Sequence, residues 1–229
     1  MAERPINSEP VPILPSIAED PPWPHAPVIH RFVAQPSLPT RDFLDVLDNR
    51  QSGCANGHIP EDLSAEKLGT IIHHTTRLRT RRTDGRFGRW ESRSAPSAGG
   101  IHGIRVIVLP VSGDAPQGLH DPDNHAIIEL PGAGKASLNA RSFLDELGLP
   151  PVGVFLQFVA NEPAYRTRYE NADTLIARDA GALVTVICLV TEWMGCHCRP
   201  LGHIDKGIAS AAGLGPSFTG MGGVLLTGQ

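Results

Sequence analysis

Cysteine is too scarce in this chain to build a disulfide framework. Four residues, at positions 54, 188, 196 and 198 of 229, do not staple a domain of this size, and reduced thiols are the expectation. A general basic surface is also missing. The formal net charge is −4 and the isoelectric point is near 6.2, so strong nonspecific binding to nucleic acid or to an anionic membrane is not expected. The uncharged apolar stretch from Ala180 to Thr191 is shorter than the roughly 20 residues a bilayer span needs. The start, MAERPINSEP, has acidic residues and prolines where an export signal needs a basic region and an apolar block, so a cytoplasmic location is expected. Two nucleotide motifs are absent as well. PGAGKAS, residues 131–137, lacks the first glycine of a P-loop and has Ala136 at the hydroxyl position. GLGPSFTGMGG, residues 213–223, has no helix after it, which leaves a Rossmann site unsupported.

What is present suffices for one folded domain with a tail: 41% of the residues are hydrophobic. Residues 1–38 hold Pro5, Pro10, Pro12, Pro15, Pro21, Pro22, Pro24, Pro27 and Pro36, which remove backbone donors and block helix. That segment reads as an extended arm, free or laid along a folded surface, and residues 39–229 as the domain. Within the domain, helices are expected from Thr40 through Leu47, from Ser64 to Leu78, from Asn139 to Leu147 and from Ala172 to Met194. The last would be about 35 Å long at 1.5 Å per residue and is apolar on nearly all sides, hence buried in a core or between subunits. Strands are expected at Ile104–Leu109, His125–Leu130, Val152–Ala160 and in the terminal GGVLLTG. The arginine-rich stretch 79–94 reads as a polar loop, or as a patch for an acidic partner. Long helices around non-consecutive strands give an α+β fold.

Three segments carry candidate chemistry. Arg50-Gln51-Ser52 follows the first helix, and a guanidinium beside a hydroxyl offers forked, charge-assisted donors to a phosphate; on residues alone a surface cap is the better reading. Pro96-Ser97-Ala98-Gly99-Gly100, followed by His102, is a turn of small residues running into a strand, where backbone N–H groups and close approach suit a flat ring. Unaided, it is a turn. Cys196-His197-Cys198-Arg199-Pro200-Leu201-Gly202-His203 offers zinc-type ligands without a second well-spaced pair, so no metal is expected.

In this order the three segments, with Arg168-Tyr169 before the long helix, resemble the nitroreductase superfamily, and within it the SagB-type azoline dehydrogenases. The resemblance spans about residues 40–229. It implies a mainly antiparallel sheet wrapped by helices, an intertwined homodimer and FMN as cofactor. Arg50, Gln51 and Ser52 would hold the phosphate, with other arginines replacing basic residues this chain lacks. Pro96, Ser97, Ala98, Gly99, Gly100 and His102 would meet the flavin across the dimer, and a Pro200-Leu201-Gly202 corner would face its ring. Where that group carries a Lys-Tyr pair, this chain has Arg168-Tyr169; arginine is not deprotonated, so Tyr169 is the expected base, with Arg168 lowering its pKa or binding substrate. GLHDPDNH, residues 118–125, matches a Tyr-containing loop of that group without its tyrosines. The implied activity is oxidation of thiazoline or oxazoline rings in a ribosomal peptide, alongside a cyclodehydratase. The alternatives are an NAD(P)H-dependent nitro or quinone reductase and a flavin-free scaffold subunit of a biosynthetic complex.

Overall fold

The computed structural model describes residues 8–14, 22–33, 38–54, 59–205 and 207–228. Its elements in chain order are β1 (Val11–Pro12), β2 (Val28–Arg31), α1 (Phe43–Asn49), α2 (Ala65–Thr76), β3 (Thr80–Gly85), β4 (Gly88–Ser92), β5 (Ile104–Pro110), β6 (Gly118–Asp121), β7 (Ala126–Ile128), α3 (Ala133–Glu146), β8 (Val154–Asn161), α4 (Glu162–Arg166), β9 (Tyr169–Glu170), α5 (Asp173–Trp193), β10 (His197–Leu201), α6 (Ile208–Ala211) and β11 (Phe218–Thr227). Seven strands form one sheet in the order β10-β11-β8-β5-β6-β7-β2, with every neighbouring pair antiparallel.

The centre of the sheet is covered on both faces, which explains why its strands read as unbroken apolar runs. Side chains alternate along a strand. Val106 and Val108 of β5, with Val154, Leu156 and Phe158 of β8, therefore share one core with Leu68, Ile71 and Ile72 of α2 and Leu183 and Ile187 of α5. Ile107, Leu109, Phe155 and Val159 point the other way, onto Ala136, Ala140 and Leu144 of α3 and Ile208 of α6. All eight residues of β8 are buried.

The proline-rich segment, where described, lies along this body. β1 pairs with β9, β2 is the edge strand beside β7, and the Trp23 ring packs 5.0 Å from Phe218. Pro5, Pro15, Pro21 and Pro36 lie outside the described residues.

Several sequence expectations change. Stretch 79–94 is not a loop but the hairpin β3–β4, turned at Arg86-Phe87 and followed by Gly88 at φ +82°, a left-handed position that this kind of turn requires. Its strands lack β-branched core-facing residues because ion pairs rather than burial hold them. α3 begins at Ala133, not Asn139, because small residues let it approach α6 closely: a β-carbon on Gly132 would collide with the Ala211 carbonyl. β11 starts at Phe218, so part of the glycine-rich segment is strand; a β-carbon on Gly223 would stand 2.5 Å from the Leu156 carbonyl oxygen. α5 as a whole, unlike the uncharged stretch inside it, has the length and mean hydropathy of a membrane span, 21 residues at 1.7. Within a single chain it is not buried all round: Ile176, Asp179, Ala180, Leu183, Ile187, Cys188 and Thr191 are buried, whereas Gly181 and Thr185 are exposed and Ala182 and Leu189 half-buried.

Candidate functional site

The expected site residues fall into two groups along α5. Asp179 marks one group and Cys188 the other, nine residues and so about 13 Å apart along the helix axis.

Near Cys188, α1 ends at Arg50 in extended conformation, and the chain runs beside β10: Ser52 bridges to Cys198, and the Gly53 N–H donates to the Cys198 carbonyl at 3.0 Å. Gly53 has φ +86°, and the Arg199 guanidinium fills the space a β-carbon there would need. The Arg199 guanidinium thus lies against Gly53, next to Ser52, and the Arg50 charge acts on the Cys188 and Cys198 thiols. Arg199 was not singled out from sequence, although other arginines were expected to supplement Arg50. The zinc-like segment is strand: Cys198 Sγ lies 3.3 Å from Cys188 Sγ, and Cys196 Sγ meets the Met194 carbonyl at 3.7 Å. Among the described residues no three or more metal-binding side chains cluster. Pro200 and Leu201 extend β10 opposite Val224 and Gly223, so the expected tight corner is a strand end leading to Gly202.

Near Asp179, the Pro96–Gly100 turn is held from below. The Ser97 hydroxyl and the Tyr165 hydroxyl both donate to the buried Asp179 carboxylate, the latter at 2.7 Å, and the Ala98 N–H donates to it at 3.0 Å. Ser97 Oγ also accepts the His102 N–H at 2.9 Å. The donors expected to face a flavin are thus engaged within the chain. Asp179 was missed in the sequence; its signal was a carboxylate one residue before the uncharged stretch of the long helix. Gly99 and Gly100 have φ of +59° and +65°, and Trp90 of β4 sits over Gly100 where a side chain would be. His102 Nε2 donates to the Glu91 carbonyl at 3.0 Å, and burial lowers its pKa.

A cavity of about 600 Å³ opens beside this turn, lined by Pro96, Ser97, His102, Arg105, His120 and Trp23 among others. The Arg105 guanidinium lies 4.6 Å from the Trp23 ring centre, and burial lowers its pKa to about 10. His120 is fully buried and held neutral by that burial.

Tyr169 lies on the other side of the turn. Its hydroxyl is 3.1 Å from where a Gly99 β-carbon would stand, and its ring centre is 5.0 Å from that of Phe87. Burial raises the Tyr169 pKa, and the nearby cation that opposes the rise is Arg86. Arg168 does not fill that place. It is 3% exposed and turns inward, its Nη1 donating to the Ala164 carbonyl at 2.8 Å.

Glu91 organises the hairpin behind this site. Burial raises its pKa, but hydrogen bonds and charge from Arg89, Arg93 and Arg81 outweigh that and hold it at about 2. Arg81 and Arg93 also pair with Asp123 at 3.0 and 3.1 Å.

No known family profile matches the chain. No curated protein does either. Solved structures do. A candidate nitroreductase from Ralstonia eutropha superposes with a TM-score of 0.66 over 97% of this chain and 95% of its own, at 20% identity. A candidate nitroreductase from Desulfovibrio desulfuricans, solved in complex with FMN, gives 0.51 over 82% and 86%, at 13%. The Escherichia coli microcin synthetase McbBCD complex, solved with a truncated pro-peptide bound, gives 0.56 over 88% and 78%, at 14%. The chain has the nitroreductase fold.

Proposed function

We propose that this chain is an FMN-dependent oxidoreductase that oxidises thiazoline or oxazoline rings of a ribosomally made peptide to thiazole or oxazole. The observation that carries the reading is the Arg199 guanidinium packed against Gly53, in the Arg50-Gln51-Ser52-Gly53 segment that bridges to β10, a donor set whose charge and hydroxyl suit a flavin phosphate. Bound FMN would supply the two-electron acceptor for hydride. Gln51, Pro200, Leu201 and Gly202 would line the same end, and Pro96, Ser97, Ala98, Gly99, Gly100 and His102 would approach the flavin of a second copy. The separation of the two groups along α5 supports a site completed by two chains. So does the apolar surface one chain leaves open: Phe43, Leu44 and Leu47 of α1 are 63%, 65% and 45% exposed, and Gly181 and Thr185 of α5 are exposed as well.

Tyr169 would take the ring proton. A phenol does so as its phenolate, and burial works against that form, so the cation that assists it is Arg86. Arg168 would hold the end of α4 in place rather than tune the phenol. The microcin synthetase complex, with its bound pro-peptide, supports a peptide substrate and a partner of cyclodehydratase type.

The engagement of Ser97 and Ala98 by Asp179 favours one other reading, a flavin-free scaffold subunit of a biosynthetic complex. The visible absorbance spectrum of the purified protein, with the released cofactor identified by mass, separates the two. Flavin absorbance and FMN are expected; a colourless protein that refuses added FMN leaves the scaffold. Flavin bleached rapidly by NAD(P)H, in a protein inert toward an azoline peptide, would return the nitro or quinone reductase.

A further inference from the structure

The arginines between residues 77 and 93 are not equivalent once the hairpin is formed. Cross-strand neighbours share a face. Arg81 stands opposite Glu91, and Arg82 stands opposite Trp90. On the Glu91 face, Arg81, Arg89 and Arg93 are neutralised by Glu91 and Asp123. On the other face, Arg82 lies over the Trp90 ring at 5.7 Å and Arg86 over the Phe87 ring at 5.9 Å. Among the described residues neither guanidinium makes a hydrogen bond or an ion pair, and both residues are exposed.

These two cations flank an open cleft of about 350 Å³ whose other walls are Phe87, Trp90, Gly99 and Tyr169. Asp84 and Gly85 complete its rim, and one carboxylate against two guanidinia leaves the mouth net positive. The floor is aromatic and ends at the Tyr169 phenol. A chain laid in this groove would meet flat apolar surface below and unpaired guanidinia at the edge.

We propose that this cleft binds an acidic peptide segment, with Arg82 and Arg86 holding carboxylates of the peptide while an adjoining residue lies beside Tyr169. The recognition deepens the substrate reading above and rests on it for the role of Tyr169. Unpaired guanidinia on a rim favour encounter with anionic partners and select against neutral ones, and stacking on Trp90 and Phe87 holds each fork in place without consuming its donors.

The test is fluorescence anisotropy with the full-length chain and a fluorescein-labelled peptide of repeating Glu-Gly, against the same peptide with Gln for Glu. The acidic peptide should bind roughly tenfold more tightly than the neutral one, and the advantage should shrink with added salt. Arg82→Gln with Arg86→Gln should abolish the advantage, and Arg82→Lys with Arg86→Lys should retain most of it. Arg141→Gln, at an exposed position of α3, should leave it unchanged. Equal binding of the two peptides, no binding of the acidic one, or an unchanged advantage in the double Gln variant would overturn the proposal. The lysine variant guards against a hairpin that has lost its shape, because it keeps charge and length. Tyr169→Phe separates the two levels: full turnover in that variant would remove the base and leave the binding result standing, whereas acid-blind binding would remove only the recognition.

Discussion

The guanidinium of Arg199 occupies the volume that any side chain at Gly53 would need, so a strand residue and a loop residue 146 positions apart in sequence form one cationic wall, three positions after Arg50 in the chain. If that wall holds a flavin phosphate, removing either arginine should weaken FMN binding by roughly 1.5–3 kcal/mol, the worth of a charge-assisted hydrogen bond. Arg50→Ala and Arg199→Ala should therefore purify with little flavin and show raised dissociation constants on titration with FMN. Arg141→Ala, exposed on α3, should purify like the parent. Full occupancy in both pocket variants would remove the phosphate assignment.

The Tyr169 phenol has its pKa raised by burial and opposed by Arg86. A base of this kind is protonated at neutral pH, so turnover should rise with pH on the alkaline side as phenolate forms. Removing the Arg86 charge leaves burial unopposed, which lifts the phenol pKa further. Arg86→Gln should therefore shift the alkaline limb of kcat/KM to higher pH, and Tyr169→Phe should abolish that limb. A profile identical in the parent and in Arg86→Gln would separate the arginine from the chemistry.

Glu91 is the ionic centre of the hairpin, and its folded-state pKa of about 2 lies below the usual carboxylate value. A depressed carboxylate contributes stability that is complete above its unfolded pKa, near 4.5, and is lost as pH falls through about 2. The contribution at neutral pH is on the order of 3 kcal/mol. Glu91→Gln should lower the melting temperature at pH 7 and flatten the fall in stability between pH 4.5 and pH 2. His125 adds a loss at higher pH, between about 6.5 and 4. Burial and neighbouring histidines hold its pKa at about 4, so charging it below the usual value of 6.5 favours the unfolded chain.

The sheet and its long helices were legible because their burial is periodic: Val106 and Val108 against Ile107 and Leu109 show a strand covered on both faces. The hairpin was not legible, since Arg81, Arg89 and Arg93 carry no apolar alternation and are organised by Glu91 and Asp123, a three-dimensional pairing with no sequence period. Ser97 was legible as a turn residue, but its acceptor lies 82 positions away on α5. Arg168 and Tyr169 were adjacent in sequence and read as a working pair. Their side chains part company, one directed into the body and the other to the cleft, because Arg168 closes the turn after α4, its N–H bonded to the Tyr165 carbonyl, whereas Tyr169 opens β9.

Oligomeric state is where surface chemistry makes the sharpest demand. A seven-residue helix with three large apolar side chains mostly in water is poorly stable alone, yet α1 carries Phe43, Leu44 and Leu47 exposed while only Val46 is buried. Covering them on a second copy would remove that apolar surface from water at roughly 25 cal/mol per Å², and isologous contact would place the same α1 and α5 faces on both chains. Sedimentation of the parent should give a species of twice the 24.5 kDa chain mass. Leu44→Glu should shift it toward the single chain at micromolar concentration with its helical circular dichroism intact, since residue 44 already faces water and the substitution costs the isolated fold little. If each flavin needs two chains, FMN occupancy should fall in step with the dimer. A parent that sediments as a single chain while binding FMN fully would place the whole flavin site within one copy.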